Sequence, residues 1–360
     1  MGRRVIVSLV AAGFGAALVA TPAGAAPGIP HQSVVIGTDL NGAPAMSLGT
    51  TIATDASDNL DIATAGGPVH TTAQGHVVLN NTSPPVTPTA YISDQAGTGY
   101  LGAGSTVSLI DRSGTVTHTI NLLTTNVTGL ALDPTPPDYL AAVMYVLDGP
   151  SSALYVVDPT EVGLAAGGAD VTGWALPTAS ARSIALAPDH TLYVGDGGSG
   201  TVWHYNDQGV YLGSFIVSGG DQGAVTAVNG IAIDASNTMF IADGPHDRVV
   251  EATTSGAYLG MFGQQDPSAG ASPGPGQFDD PVAVAVDCIG NLFVLDNDTG
   301  HERREPSASP ASRPRPDRAQ RRRHRSFRAS RPSASPSTGP TTRSWRRTGG
   351  SRSTTRRCTW

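Results

Sequence analysis

Four aspartates carry the most regular chemistry in the sequence. Asp148, Asp196, Asp243 and Asp296 each end a short apolar run and precede a turn, with glycine next in three of the four. A ring of such carboxylates would suit Ca²⁺ or a cationic ligand. The same side chains, one residue before a turn, can also accept backbone N–H bonds there. Their recurrence favours the structural role, because a binding site singles out only a few repeats. His246 and Arg248 stand close behind Asp243, and these six residues are the candidate binding positions. The other histidines of the body, His31, His70, His76, His118, His190 and His204, form no H-x-x-x-H pair. No metal ligand and no cofactor is therefore assigned, and Zn²⁺ or Ca²⁺ would need ligands converging from separate segments. There is no G-x-S-x-G elbow, P-loop or Rossmann glycine pattern, so no catalytic residue is assigned either.

The elements that must position these residues recur along the chain. Ile231–Phe262 reads as four β-segments: Ile231–Asp234, Thr238–Ala242, Arg248–Ala252 and, after the Ser255-Gly256 turn, Ala257–Phe262. Four antiparallel strands with such turns make one propeller blade, and a blade has two bare faces that only copies of itself can cover. The copies are present. Ile231 to Asp243 is twelve residues, as are Ile184 to Asp196, Val284 to Asp296 and Ile52 to Thr64; Leu130 to Asp148 is eighteen because a proline-rich turn is inserted. Six residues beyond the aspartate lies Leu154, Val202 or Val249, and turn glycines at Gly209 and Gly256 are followed by Phe215 and Phe262. Val107, Gly114 and Ile120 keep the same beat in a unit whose second strand is expected at Ala90–Asp94.

Counted from Asp94, the aspartates return every 47 to 54 residues, a period that suits propeller blades and is too long for leucine-rich or ankyrin repeats. The expectation is an all-β, six-bladed propeller with units at 33–85, 86–123, 124–165, 175–218, 224–263 and 278–300, the last one incomplete. Ser33–Leu40 is expected to lend that unit one outer strand. Trp174, Trp203, Tyr205, Tyr211 and Tyr258 could stack on a sugar, but Tyr211 and Tyr258 are equivalent in their units, which favours packing.

Two stretches resemble the NHL-repeat β-propellers. Gly274–Asp287, GPGQFDDPVAVAVD, is similar to the family's GPGQF-xx-P-xx-VAVD motif, and Asp243–Val249, DGPHDRV, to its D-T-G-N-H-R-V turn. The resemblance is good over 124–300 and loose over 33–123, and it departs at Gly198-Ser199-Gly200, where the family prefers N-H-R. It implies the blade fold and leaves activity open, since the family includes sensor domains, scaffolds and a few lyases. The expected function is a noncatalytic extracellular binding scaffold, with a protein or glycan ligand at one end of the channel. The alternatives are a metal-dependent lyase or lactonase of the streptogramin-lyase or peptidyl-amidoglycolate-lyase type, and a nonfunctional copy whose last blade does not close.

Composition sets the address and the ends. Arg3 and Arg4 precede an apolar run from Val5 to Ala20, followed by Ala23-Gly24-Ala25-Ala26, the layout of a secretory signal removed near residue 26. The mature chain is then expected outside the cell, monomeric and without a membrane span. Cys288 and Cys358 are the only cysteines, too few for a disulfide framework, and Cys288 reads as a small core or turn residue. The net charge of -7 conceals a split: residues 26–300 hold 26 acids against Arg112, Arg182 and Arg248, whereas residues 301–360 hold 17 arginines against three acids. The acidic body should repel nucleic acid. The basic end has no Ile, Leu, Val, Met or Tyr and cannot bury enough surface to order itself. Because composition changes inside a strand–turn–strand unit, we read 301–360 as the product of a reading-frame slip near Gly300, against a genuine basic tail. The test is whether another frame beyond codon 300 encodes an alternating strand and a turn glycine.

Overall fold

A computed structural model describes residues 6–10, 31–35, 49–54, 60–64, 67–71, 77–80 and, with gaps of which the longest are 158–171 and 264–276, residues 88–296. These lie in one compact unit, Met1–Arg303 with Arg357–Trp360; the second unit, Arg304–Arg356, falls outside the described residues. The expected tail therefore falls there too, as do Cys288 and Cys358.

Two short strands open the chain, β1 (Ile6–Val10) and β2 (His31–Val35). Five antiparallel sheets follow, each built from four consecutive strands. The first holds β3 (Gly49–Thr54), β4 (Leu60–Thr64), β5 (Gly67–Thr71) and β6 (Val77–Asn80). The second holds β7 (Ala90–Ser93), β8 (Gly99–Ala103), β9 (Thr106–Ile110) and β10 (Val116–Asn121). The third holds β11 (Val127–Asp133), β12 (Val143–Asp148), β13 (Ala153–Val157) and β14 (Thr172–Ala175). The fourth holds β15 (Ala181–Leu186), β16 (Leu192–Asp196), β17 (Val202–Tyr205) and β18 (Tyr211–Phe215). The fifth holds β19 (Gly230–Ile233), β20 (Thr238–Asp243), β21 (Arg248–Thr253) and β22 (Tyr258–Phe262). Among the described residues, the sixth unit supplies β23 (Pro281–Val286) and β24 (Leu292–Asp296) of its own.

The first strand of each unit packs on the first strand of the next, and β23 packs on β3, so six inner strands close a circle. This is a β-propeller. Six hydrophobic clusters, one at each seam between neighbouring blades, form its core. The spacing rule has a direct structural meaning. Val107, Leu154, Val202 and Val249 each pair with the residue one before the end of the second strand, at Gly102, Leu147, Gly195 and Ala242. All four are fully buried. Their outer partners are Ile120, Trp174, Phe215 and Phe262. The turn glycines Gly114, Gly209 and Gly256 all have positive φ.

Three boundaries differ from the expectation. Ala90–Ser93 is the inner strand of the second blade, not its second strand, and the place of the repeated aspartate is taken by Ala103. Asp94 lies at the opposite end, where its carboxylate accepts the Thr98 N–H in the β7–β8 hairpin (2.8 Å). An apolar run closed by an aspartate looks the same on either strand of such a hairpin. The third unit does not stop at 165, since its outer strand is Thr172–Ala175, reached after a long connection. In the sixth sheet the order is β2-β1-β24-β23, with β1 parallel to both neighbours. The chain start does join the last blade, but through His31–Val35 at the edge and Ile6–Val10 inside it, instead of Ser33–Leu40 alone. Ile6–Val10 lies within the run read as an export signal, so a chain cut near residue 26 would keep β2 and lose β1.

Candidate functional site

The inner strands all run the same way along the channel, so their first residues meet at one mouth. Four of them carry a one-residue bulge there, at Thr50, Thr128, Arg182 and Val282, and Thr89 and Asn229 hold the matching place in the other two blades. A bulge takes its residue out of the strand's alternation and re-aims it, a device common beside binding sites. The result is one position per blade around the mouth. Behind it lies a cavity of about 410 Å³ reached by all six inner strands. Its wall combines Ile52, Leu130, Ile184, Ile231 and Val284 with the polar Thr51, Thr89, Thr128, Arg182, Ser183 and Asn229. No carboxylate or imidazole is among the described residues lining it.

Three of the six ring residues tie one blade to the backbone of the next. Thr89 Oγ1 donates to the Val127 carbonyl, Thr128 Oγ1 to the Ala181 carbonyl (3.2 Å), and Asn229 Nδ2 to the Pro281 carbonyl (3.5 Å). Arg182 breaks this pattern. Its exposed side chain bypasses the neighbouring backbone, and among the described residues its one hydrogen bond is a long one to Asn229 Oδ1 (3.4 Å). The stem lies across Gly197, where an added methyl group would come within 2.5 Å of Arg182 Cδ. Asp280 stands nearby in the approach to β23. Burial pushes its carboxyl up, Asp247 adds to the rise, and the Arg182 guanidinium pulls the other way.

The sequence candidates lie just outside this ring. Asp148, Asp196, Asp243 and Asp296 end the second strands at the same mouth, each 0 to 4% exposed. Asp148 accepts N–H bonds from Thr125 (2.6 Å) and Ser151 (3.1 Å). Asp196 accepts from Ser180 Oγ (2.5 Å), the Gly198 N–H (2.8 Å) and Ser199 Oγ (2.7 Å). Burial acts to raise both carboxyls, but these bonds together outweigh it and hold them below the usual carboxylate range. Asp243 is wrapped by Arg248 Nε and His246 Nδ1, both at 2.9 Å from Oδ2. Arg248 is itself fully buried and donates through Nη2 to the carbonyls of Gly223 and Ala224 (3.1 Å each), pinning the crossover from the fourth blade. Thus the structure brings Asp243, His246 and Arg248 together and keeps the four aspartates apart, one per blade. In the first two blades their place falls to Thr64 and Ala103.

The other histidines are dispersed. His190, at positive φ in its hairpin, pairs with Asp133 of the preceding blade (2.6 Å), and His70 pairs with Asp61. His204 stacks on Tyr193 with centroids 4.3 Å apart, and burial lowers its pKa. No group of three metal-binding side chains occurs among the described residues. Of the aromatic residues, Tyr211 contacts Trp203 and Tyr205 and is half exposed, while Tyr258 covers Gly219. Arg182 and Asn229 were missed in the sequence because each occurs in one blade only, and a search for repeats discards what does not repeat.

No protein-family model matches the chain, and no curated protein matches its sequence. Solved structures do. A streptogramin B lyase aligns with a TM-score of 0.50 and 11% identity, over 70% of this chain and 91% of the other. A protein of unknown function from Bacteroides caccae aligns with a TM-score of 0.50 and 12% identity, over 69% and 86%. Virginiamycin B lyase from Staphylococcus aureus aligns at 0.49 and 14%, over 69% and 77%. At these identities the likeness to the first two is one of fold.

Proposed function

We propose that this chain is an exported, NHL-type propeller that binds a ligand at the channel mouth without transforming it. The observation that carries the reading is the cavity of about 410 Å³ behind the ring, reached by all six inner strands, whose wall joins hydrogen-bonding side chains to apolar ones. The NHL assignment is supported by Asp243–Val249: Asp243 ends β20, Gly244–His246 makes one 3-10 turn, Asp247 is left-handed, and Arg248 turns back to Asp243. Export rests on the signal layout of residues 1–26, and an acidic body suits an extracellular protein or glycan partner over nucleic acid. Among the described residues no helix is long and apolar enough to cross a membrane.

Hydrogen exchange on the purified protein with a captured partner or glycan tests this. Protection of the amides at Gly129, Ser183 and Gly230 is expected, and protection confined to the outer strands overturns the channel-mouth assignment. The lyase reading draws on the fold shared with streptogramin B lyase alone. Stoichiometric metal retained on purification, lost when channel-mouth residues are replaced, together with elimination activity, would establish it instead. The third reading, a copy that does nothing, requires that the last blade fail to close.

A further inference from the structure

The mouth carries one residue per blade, and in the described ring five of the six, Thr50, Thr89, Thr128, Asn229 and Val282, are uncharged. Arg182 is the sixth. Where Thr89 and Thr128 use a short side chain to tie off a backbone carbonyl of the next blade, Arg182 leaves that work undone. A guanidinium has five N–H donors in a rigid fork, and here one of them makes a long bond to an amide oxygen. Its stem nonetheless has a defined course, rooted at the bulge and laid across Gly197. An exposed guanidinium that shares a cavity wall with Ile184 and Ile231 and keeps most of its donors uncommitted can take a planar anion in its fork.

We infer that Arg182 makes the channel mouth a receptor for a small organic carboxylate, the guanidinium gripping the carboxylate while the second Nδ2–H of Asn229 meets another polar group of the ligand. This rests on the channel mouth being the ligand face. Charge selects the anion. With three arginines against 26 acids over residues 26–300 and Asp280 already drawing on the same guanidinium, the mouth opposes each further negative charge, so a singly charged carboxylate is favoured over a doubly charged phosphate. The size agrees, since about 410 Å³ accommodates a sugar acid or a similar hydroxy acid.

The test is NMR titration of the full chain, following the Arg182 Nε–Hε resonance and the amides of Ser183 and Gly230. Acetate and glucuronate are the charged probes, glucose the neutral match and inorganic phosphate the competing anion. Each is taken to about 10 mM, well above the ~1 mM Kd of a weak small-ligand site. Both carboxylates should shift these resonances, glucuronate more tightly than acetate and either more tightly than phosphate. Arg182→Ala should weaken glucuronate at least about tenfold, the loss of roughly 1.4 kcal/mol, and Arg182→Lys should restore part of it. Equal binding by wild type and Arg182→Ala, no response to either carboxylate, or tighter binding of phosphate overturns the inference. Glucose shifting Gly230 with or without Arg182 would sink the carboxylate while leaving the channel-mouth reading in place. If a captured partner protects only the outer strands, that reading falls as well.

Discussion

Asp148 and Asp196 have the same surroundings in successive blades, a carboxylate out of water facing donors from the loop before its own blade. Such a group is a staple between the start of the inner strand and the end of the second. Because both native carboxyls titrate below their unfolded value of about 3.9, the unfolded chain binds more protons as pH falls. Their contribution is therefore complete above the unfolded value and disappears as pH drops through the native one. Replacing both by asparagine keeps the shape and removes the charge. The urea midpoint of the double variant should be lower than wild type near neutrality, and the two curves should converge as pH falls below the unfolded carboxylate value of about 3.9 and on through the lower native one. A difference that persists unchanged at low pH would show that the carboxylate charge is not what those donors hold. His246 and Arg248 serve Asp243 in the same spirit, with Arg248 reaching on to the carbonyls of Gly223 and Ala224.

Strands and turns add a second layer, the seam between blades. Trp174 on β14 lies over Gly209, the left-handed residue of the β17–β18 turn, so close that a methyl group there would run into the indole. Gly209→Ala combines a positive-φ penalty of about 1 kcal/mol with that clash. In a Trp174→Ala background the clash is gone and only the backbone term remains. A double-mutant cycle should give a coupling of about 1 kcal/mol or more, and strict additivity would mean that the third and fourth blades do not meet there. Elements of this kind were largely legible in the sequence. The twelve-residue hairpins, the turn glycines and the buried position shared by Leu154, Val202 and Val249 follow from alternation and turn chemistry, which are local. Which strand of a hairpin faces the axis is not local, and Ala90–Ser93 was placed one strand too far out for that reason. Arg182 was hidden for a related cause: its meaning lies in a bulge and in a comparison across six blades, neither of which is written in its neighbours.

At the level of the molecule, the circle is only as strong as its weakest seam. The one between the last blade and the first is filled by Phe293, Leu295, Ala283 and Ala285 against Ile52, Leu60, Ile62 and Val69, all buried. Phe240 fills the seam between the fifth and sixth blades. Both phenylalanines are 1% exposed. If the ring is closed and unfolds as a unit, Phe293→Ala and Phe240→Ala should cost the same, about 3 to 5 kcal/mol in equilibrium urea unfolding. A small cost at Phe293 alone would mean an open ring, and with it the copy that does nothing. The bulges at the mouth have a different import. A residue lifted out of its strand's alternation can be exchanged without turning any neighbour inside out, so each of the four bulged blades offers natural selection one free wheel on a lock. Ligand preference in such a protein can drift blade by blade while the barrel of hidden side chains behind it stays untouched.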